Sequence, residues 1–485
     1  MFVNRMPRYE ILSEEAMATL DRGWRRIVSE IGVEFILPEA VEVFAAAGQK
    51  TQDATVWLDP DFVMEQVAKA PREFELQARN RTRNLQVGGD TMAFGSVYGP
   101  PFVRDGDVRR EATMADFENF CRLSQSFPQL DSAGGTICEP NDVPLDSRHL
   151  DMVLALQTLT DKPYMGSVTS GPNAADTIAM TEILHGGRAA IEETPAVISL
   201  INVNSPLRYD VRMLEGLLAY AEAGQALIVT PFLLMGAMAP VSVPAALVQQ
   251  TVEVLAGVAL AQLVRPGTPC IMGSFLSSTD MQSGSPAFGG PESAVGLYAS
   301  GQVARRLGLP WRSGGGTLTA SQSVDYQAGY ESFNTLIAAF LAGTNVCWQS
   351  AGWLEGGLVT SFEKFAADCE ILDLLQRQFA PLEVDEASLA FDAHVEVGQG
   401  GHFFGAQHTL ERFRECFWRP TVASTENFER WKKNGSLDHA ARASRRWREL
   451  LEQYERPPLD EAVEEELVEF VERRAVEVGD TISVR

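Results

Sequence analysis

AVISLINVNSPLRYDVRMLEGLLAYAEAGQALIVTPFLL, residues 196–234, joins two apolar runs through one amphipathic run. AVISLINV and ALIVTPFLL are apolar almost throughout, as strands buried on both faces of a parallel sheet should be. RYDVRMLEGLLAYAEAG between them has helical spacing and ends on a glycine, a common helix stop. The stretch therefore predicts a strand–helix–strand unit, whose crossover makes the two strands parallel.

The same alternation extends in both directions. Before it stand DSAGGTI with SRHLDMVLALQTLTD, and PYMGSVTS with AADTIAMTEILHGG. After it, PAALVQQTVEVLAGVALAQLVRPG follows the second strand. PCIMGSF, WRSGGGT and NVCWQSAG then each lead into a helical run, and HVEVGQGGHFF leads into HTLERFRECFW. About eight such units fit a (β/α)8 TIM barrel better than a doubly wound sheet. A dinucleotide fold has little support, because SGGGTLTAS lacks GxGxxG spacing and the acid expected further on. The expected organisation is an N-terminal α+β flanking region over 1–120, a barrel over 121–420 and a C-terminal helical extension over 421–485.

The 485 residues carry 40 Lys and Arg against 65 Asp and Glu, a formal charge of −25. That sign disfavours nucleic acid as a partner. Six cysteines without a CxxC pair disfavour a disulfide framework or a thiolate zinc site. The N-terminus turns acidic before any apolar run, unlike a secretory signal. GQALIVTPFLLMGAMAPVSVPAALV is interrupted by prolines and glycines and reads as buried strand and loop rather than a membrane span. A cytoplasmic protein, and a homo-oligomer, is expected.

Barrel chemistry sits where strands run into helices. Arg312 lies at such a join, before Gly314–Gly316, and is placed to meet a substrate carboxylate or a loop carbonyl. Asp325 reads as a helix cap. Tyr330 and Glu331 reach a pocket only if their helix start tilts inward. NVCWQSAGWLEGG places Trp348, Trp353 and Glu355 in one loop, and indole faces attract a quaternary ammonium. Cys347 has no base beside it to make it a nucleophile. The loops FLLMGAMAPVS and GSFLSSTDMQSGSPAFGGPES are small and weakly polar. With Met235, Gly236, Ser277, Gly315 and Gly400 they suit a broad, flat ligand. GQGGHFFGAQHT is read as the end of the eighth strand, with His402 and Phe403 facing the pocket. His402 and His408 lack metal-pair spacing, and no lysine follows GQGG to hold phosphate. Asp105 in VRDGD is a further positioning candidate, beside its ordinary reading as a turn acid. Tyr98 completes the candidate aromatic set.

The segments DYQAGYES, LAGTNVCWQSAGWLEGGLVTSFEKFAADCEI, VEVGQGGHFFGAQHT and PFVRDGDVRREATMADF, with FWRP ahead of a WxxxGSLD segment, resemble the trimethylamine methyltransferase (MttB-like) family over nearly the whole chain. The resemblance implies a TIM barrel. It also implies methyl transfer from an amine to the cobalt(I) of a corrinoid, a cobalamin carried by a cognate partner protein and not tightly bound to this chain. The family's best-known members carry pyrrolysine, held to activate trimethylamine; this chain has none, which points to its non-pyrrolysine branch and to glycine betaine or a similar quaternary amine. A quaternary ammonium already carries the charge that makes its amine a neutral leaving group, so no protein acid or base is required. On this reading Trp348, Trp353, Tyr98, Tyr330 and Phe403 hold the onium, Arg312 or His402 anchors a carboxylate, and His402, Glu355 and Asp105 serve as positioning groups. The alternatives are a trimethylamine enzyme, another barrel lyase or hydrolase, and a non-enzymatic onium- or corrinoid-partner-binding subunit. A Schiff-base lyase would need a lysine at a strand end, and the segment 196–357 contains none.

Overall fold

The computed structural model describes residues 1–480. Seven parallel strands form one curled sheet, in the order Thr91–Phe94, Val346–Cys347, Trp311–Ser313, Cys270–Gly273, Ala226–Pro231, Val197–Val203 and Tyr164–Met165. An eighth strand, Phe2–Val3, pairs antiparallel with Thr91–Phe94. The extended segment 131–136 bonds to strands at both ends of the sheet. The amides of Asp131 and Ser132 donate to the Phe94 carbonyl at 2.8 and 3.1 Å, and Met165 N–H donates to Gly134 O at 2.8 Å. Gly134 also forms a parallel bridge with Tyr164.

Side-chain alternation explains why the sheet curls. Ile198 and Leu200 belong to one apolar cluster, while Val197, Ile201 and Val203 belong to another. The first cluster lies inside the curl with Ala93, Met165, Ala226, Ile228, Ile271, Val346 and Trp348. The second packs the outer strand faces against helices. A hairpin of Phe74–Leu76 and Leu85–Val87 adds four apolar side chains to the inner cluster and plugs it.

Each strand feeds a helix, from Met114–Ser126 after Thr91–Phe94 to Phe362–Gln378 after Val346–Cys347. The alternation expected from 131 onward is present, but its frame is shifted by one unit. HVEVGQGGHFF is not a strand: Phe391–Val397 is helical and the following glycines form an exposed loop. The outer edge of Val346–Cys347 is already paired with Thr91–Phe94, so no edge remains for a strand from that segment. DTMAFGS, within the region 1–120 expected to flank the barrel, supplies that strand instead.

Val243–Val264 is long and apolar enough to cross a membrane by composition, yet 83% of its most apolar window is buried within the protein. Helices His439–Glu452 and Glu461–Asp480 form the C-terminal extension. Trp447 of the first stacks on Phe362 at 4.7 Å, fixing it to the body.

Candidate active site at the mouth of the sheet

Alternation along Trp311–Ser313 puts Trp311 outward and Arg312 inward. The result is a buried guanidinium, 2% exposed, beside an otherwise apolar interior. Its Nη2 donates to Gln349 Oε1 at 2.7 Å and its Nη1 reaches the Ser274 carbonyl at 3.4 Å. Among the described residues its Nε has no hydrogen-bond partner, and no carboxylate pairs with it. Burial lowers its pKa to about 10, so the group stays charged at neutral pH. An isolated buried cation is costly unless something compensates it.

Aromatic rings surround it. Its guanidinium lies 5.5 Å from the Phe275 ring centroid. Phe275 contacts Phe232 at 4.9 Å, Phe288 at 5.8 Å and Trp353 at 6.0 Å. Trp353 donates its indole N–H to the Thr319 carbonyl at 3.1 Å, which fixes the ring edge-on to Phe288 at 5.3 Å. Trp348 fills the interior over Gly95, where a Cβ would lie 2.2 Å from the indole; its Nε1 is buried without a partner. Tyr98 packs on Gly135, and burial raises its phenol pKa.

These placements unite part of the expected set. Arg312 and Trp353 converge through Phe275, and Trp348 and Tyr98 share the inner cluster. Cys347 points away, into the outer core. Tyr330 is half-exposed and lines a cavity of about 800 Å³ at the rim, with Glu331, Phe288, Ser285 and Gly290. Glu331 accepts from Thr319 Oγ1 at 2.5 Å and from Ala320 N–H at 3.0 Å, so it holds the loop above the mouth. Asp325 caps its helix by accepting from Ala328 N–H.

Other expected residues lie elsewhere or have structural work. Glu355 pairs with Arg109 at 3.0 Å and Asp105 with Arg448 at 3.2 Å, so both carboxylates are neutralised by arginines other than Arg312. His402, Phe403 and Gly400 sit in the exposed segment beyond Phe391–Val397, where Phe403 contacts His394. His402 contacts Phe404 rather than any mouth residue. Met235 is core, packed with Leu233 and Leu276, while Gly236 is exposed beside it. Ser277 donates to the Ala287 carbonyl at 3.1 Å. A Cβ on Gly315 would meet Leu297 and Ala339, so that glycine serves helix packing rather than a ligand.

Phe232, Phe275, Phe288 and Gln349 were not singled out from sequence. Each phenylalanine lies in TPF, GSF or AFGG, close behind an apolar run, and that position was the available signal. Gln349 has a left-handed φ of 59°, a strained state for a non-glycine residue, and it presents its amide oxygen to Arg312.

A buried cation beside an aromatic cluster, at the strand ends of a curled parallel sheet, marks an α/β protein with a candidate site at the mouth of that sheet. The family model for trimethylamine methyltransferase (MTTB) matches residues 1–479, and the chain belongs to that family. It is 41% identical over 476 residues to the glycine betaine methyltransferase of Desulfitobacterium hafniense (strain Y51), covering 98% of this chain and 99% of that one. It is 27% identical to the proline betaine:corrinoid methyltransferase of Eubacterium limosum, covering 86% and 88%. Among solved structures it resembles the Methanosarcina barkeri monomethylamine methyltransferase, with a TM-score of 0.54 at 11% identity over 93% of this chain and 90% of that one. That last likeness concerns the fold.

Proposed function

We propose that this chain removes a methyl group from glycine betaine, or a closely related carboxylated quaternary amine, and delivers it to the cobalt of a corrinoid carried by a separate protein. The observation that carries the reading is Arg312, a buried guanidinium with a free N–H, no carboxylate of its own and an aromatic cluster beside it. A betaine supplies what this site lacks. Its carboxylate compensates Arg312, and its onium lies against aromatic faces, worth about 0.5–2 kcal/mol by cation–π attraction. Trimethylamine offers no carboxylate. Relatives named for glycine betaine and proline betaine support the same choice.

The corrinoid, when docked, supplies a strong cobalt(I) nucleophile. This chain's part is to bind, orient and exclude water. Methyl loss from an onium releases a neutral amine, so no proton must move. Positive charge disperses along the path, so an apolar surround favours transfer. The rim cavity, lined by Ser278, Ala287, Gly289 and Gly290, suits the edge of a broad macrocycle. Lyase and hydrolase readings lack a free lysine or a carboxylate pair here; Lys364, behind the mouth, is bound to Asp368.

Segment 131–136, bonded at both ends of the sheet, supports closure into an eight-stranded barrel. The catalytic body then runs from about Thr91 to Gln378. Six unpaired cysteines and a reduced cobalt partner suit a reducing, cytoplasmic setting.

The test is a panel of glycine betaine, proline betaine, carnitine, choline and trimethylamine, each with cobalt(I) cobalamin or the cognate corrinoid protein. The demethylated amine is read by mass spectrometry. Dimethylglycine from glycine betaine, with little turnover of trimethylamine, is expected. Turnover of trimethylamine alone would overturn the assignment.

A further inference from the structure

Beyond the mouth, the least satisfied part of the molecule is the excursion over residues 382–417. It leaves the end of helix Phe362–Gln378 and returns to the same helix. Trp418 donates to Asp373 at 2.7 Å, Arg377 to the Glu415 carbonyl at 2.8 Å, and Ala423 N–H to Glu370 at 2.8 Å. Between these staples the chain stands out from the body. Ten of its large apolar side chains are exposed, among them Leu382, Phe391, Phe404, Leu410, Phe413 and Phe417. Helix Gln407–Cys416 has no buried residue at all. A ten-residue helix is not stable in water by itself and owes its persistence to packing of its apolar face. Something must cover this one.

We propose that the excursion is an arm that packs on a second copy of this chain. At roughly 100 Å² of exposed surface for each of these side chains, one arm offers on the order of 1,000 Å² of apolar area, and a two-fold exchange would bury about twice that. That area is in the range of permanent homodimers. A partner that binds and leaves, such as a corrinoid protein, would leave this surface in water between encounters; a second copy is always present. Interfaces of transient pairs are also no more apolar than ordinary surface, unlike this arm.

Charge points to the receiving surface. The arm holds seven acids against two arginines, while residues 430–448 hold seven basic residues against one acid, in a chain whose total is −25. Arg430, Arg446 and Arg448 have ion pairs within their own chain. Lys432, Lys433 and Arg445 are exposed and take no part in those pairs. The arm of one copy therefore lies against the 430–448 region of the other, apolar faces inward and acids toward these cations. The arrangement is independent of which amine the mouth accepts.

Light scattering behind size exclusion tests it on the full chain at micromolar concentration. The wild type should be a dimer, or an even-numbered assembly built from dimers. The triple variant F391E/F404E/F417E should be a monomer with an unchanged far-ultraviolet spectrum, since its three targets are exposed and fold nothing within their own chain. K432E/K433E/R445E should weaken association by about tenfold or more, with recovery when acids of the arm are replaced by lysine in the same chain. A monomeric wild type would overturn the proposal, as would an assembly unmoved by the triple variant. So would a monomer whose arm captures the corrinoid protein.

Discussion

Arg312 concentrates the account in one side chain. Strand alternation turns it inward, burial strips it of water, and its neighbours supply one side-chain amide oxygen, one distant carbonyl and an aromatic face in place of a counter-ion. Such a residue is kept at a cost in stability. Arg312→Met should therefore raise the melting temperature of the ligand-free protein, by a stabilisation of about 1–3 kcal/mol, while removing use of glycine betaine. A thermal scan of both proteins checks this. A variant less stable than wild type would mean that Arg312 is a structural tie and not an empty anchor. The arginine was legible in the sequence because it precedes three glycines at a strand end. Its lack of an acid was not, since partnership across a sheet depends on register. The phenylalanines of TPF and GSF are not legible as site residues in the sequence, because single aromatics after apolar runs are ordinary core in most sequences.

At the scale of elements, strand and helix type followed from apolar runs and helical spacing, which the chain states locally. The unit Ala196–Leu234 formed as read. Which strand fills the last place in the sheet was not local information. HVEV alternates as a strand should, but the edge it would need pairs with Thr91–Phe94, some 300 residues earlier in the chain. His402 and Phe403 left the expected site with that strand. The mouth loops depend on a buried pair on helix Phe362–Gln378. Lys364 is bonded to Asp368, and Asp368 accepts from Thr317 Oγ1 and Gly352 N–H, both at 2.8 Å. Burial and this partner act against each other on Lys364, and burial prevails, lowering its pKa. Asp368→Asn leaves the lysine without its counter-charge and should cost about 3–5 kcal/mol. The double variant K364M/D368L removes both charges and should recover part of that loss, the Thr317 and Gly352 donors having lost their carboxylate acceptor. Chemical denaturation of Asp368→Asn, and of K364M, D368L and their double variant, decides it; additive losses in the two single variants would show that the two groups are not coupled.

Over the whole molecule, the proposed function assigns the plugged apolar interior and the buried Arg312 at the mouth to binding a zwitterion, and the rim of small residues to meeting a large partner. The carboxylate of a betaine is remote from the methyl that leaves, so Arg312 should hold substrate and transition state about equally. Its loss should then appear mainly in KM. The measurement that tests the account most directly is kcat/KM for glycine betaine in wild type and Arg312→Gln, followed by dimethylglycine release. A charged hydrogen bond of about 1.5–3 kcal/mol predicts a fall of roughly 10- to 150-fold, carried by KM with kcat nearly unchanged. An unchanged kcat/KM in the variant would contradict the account.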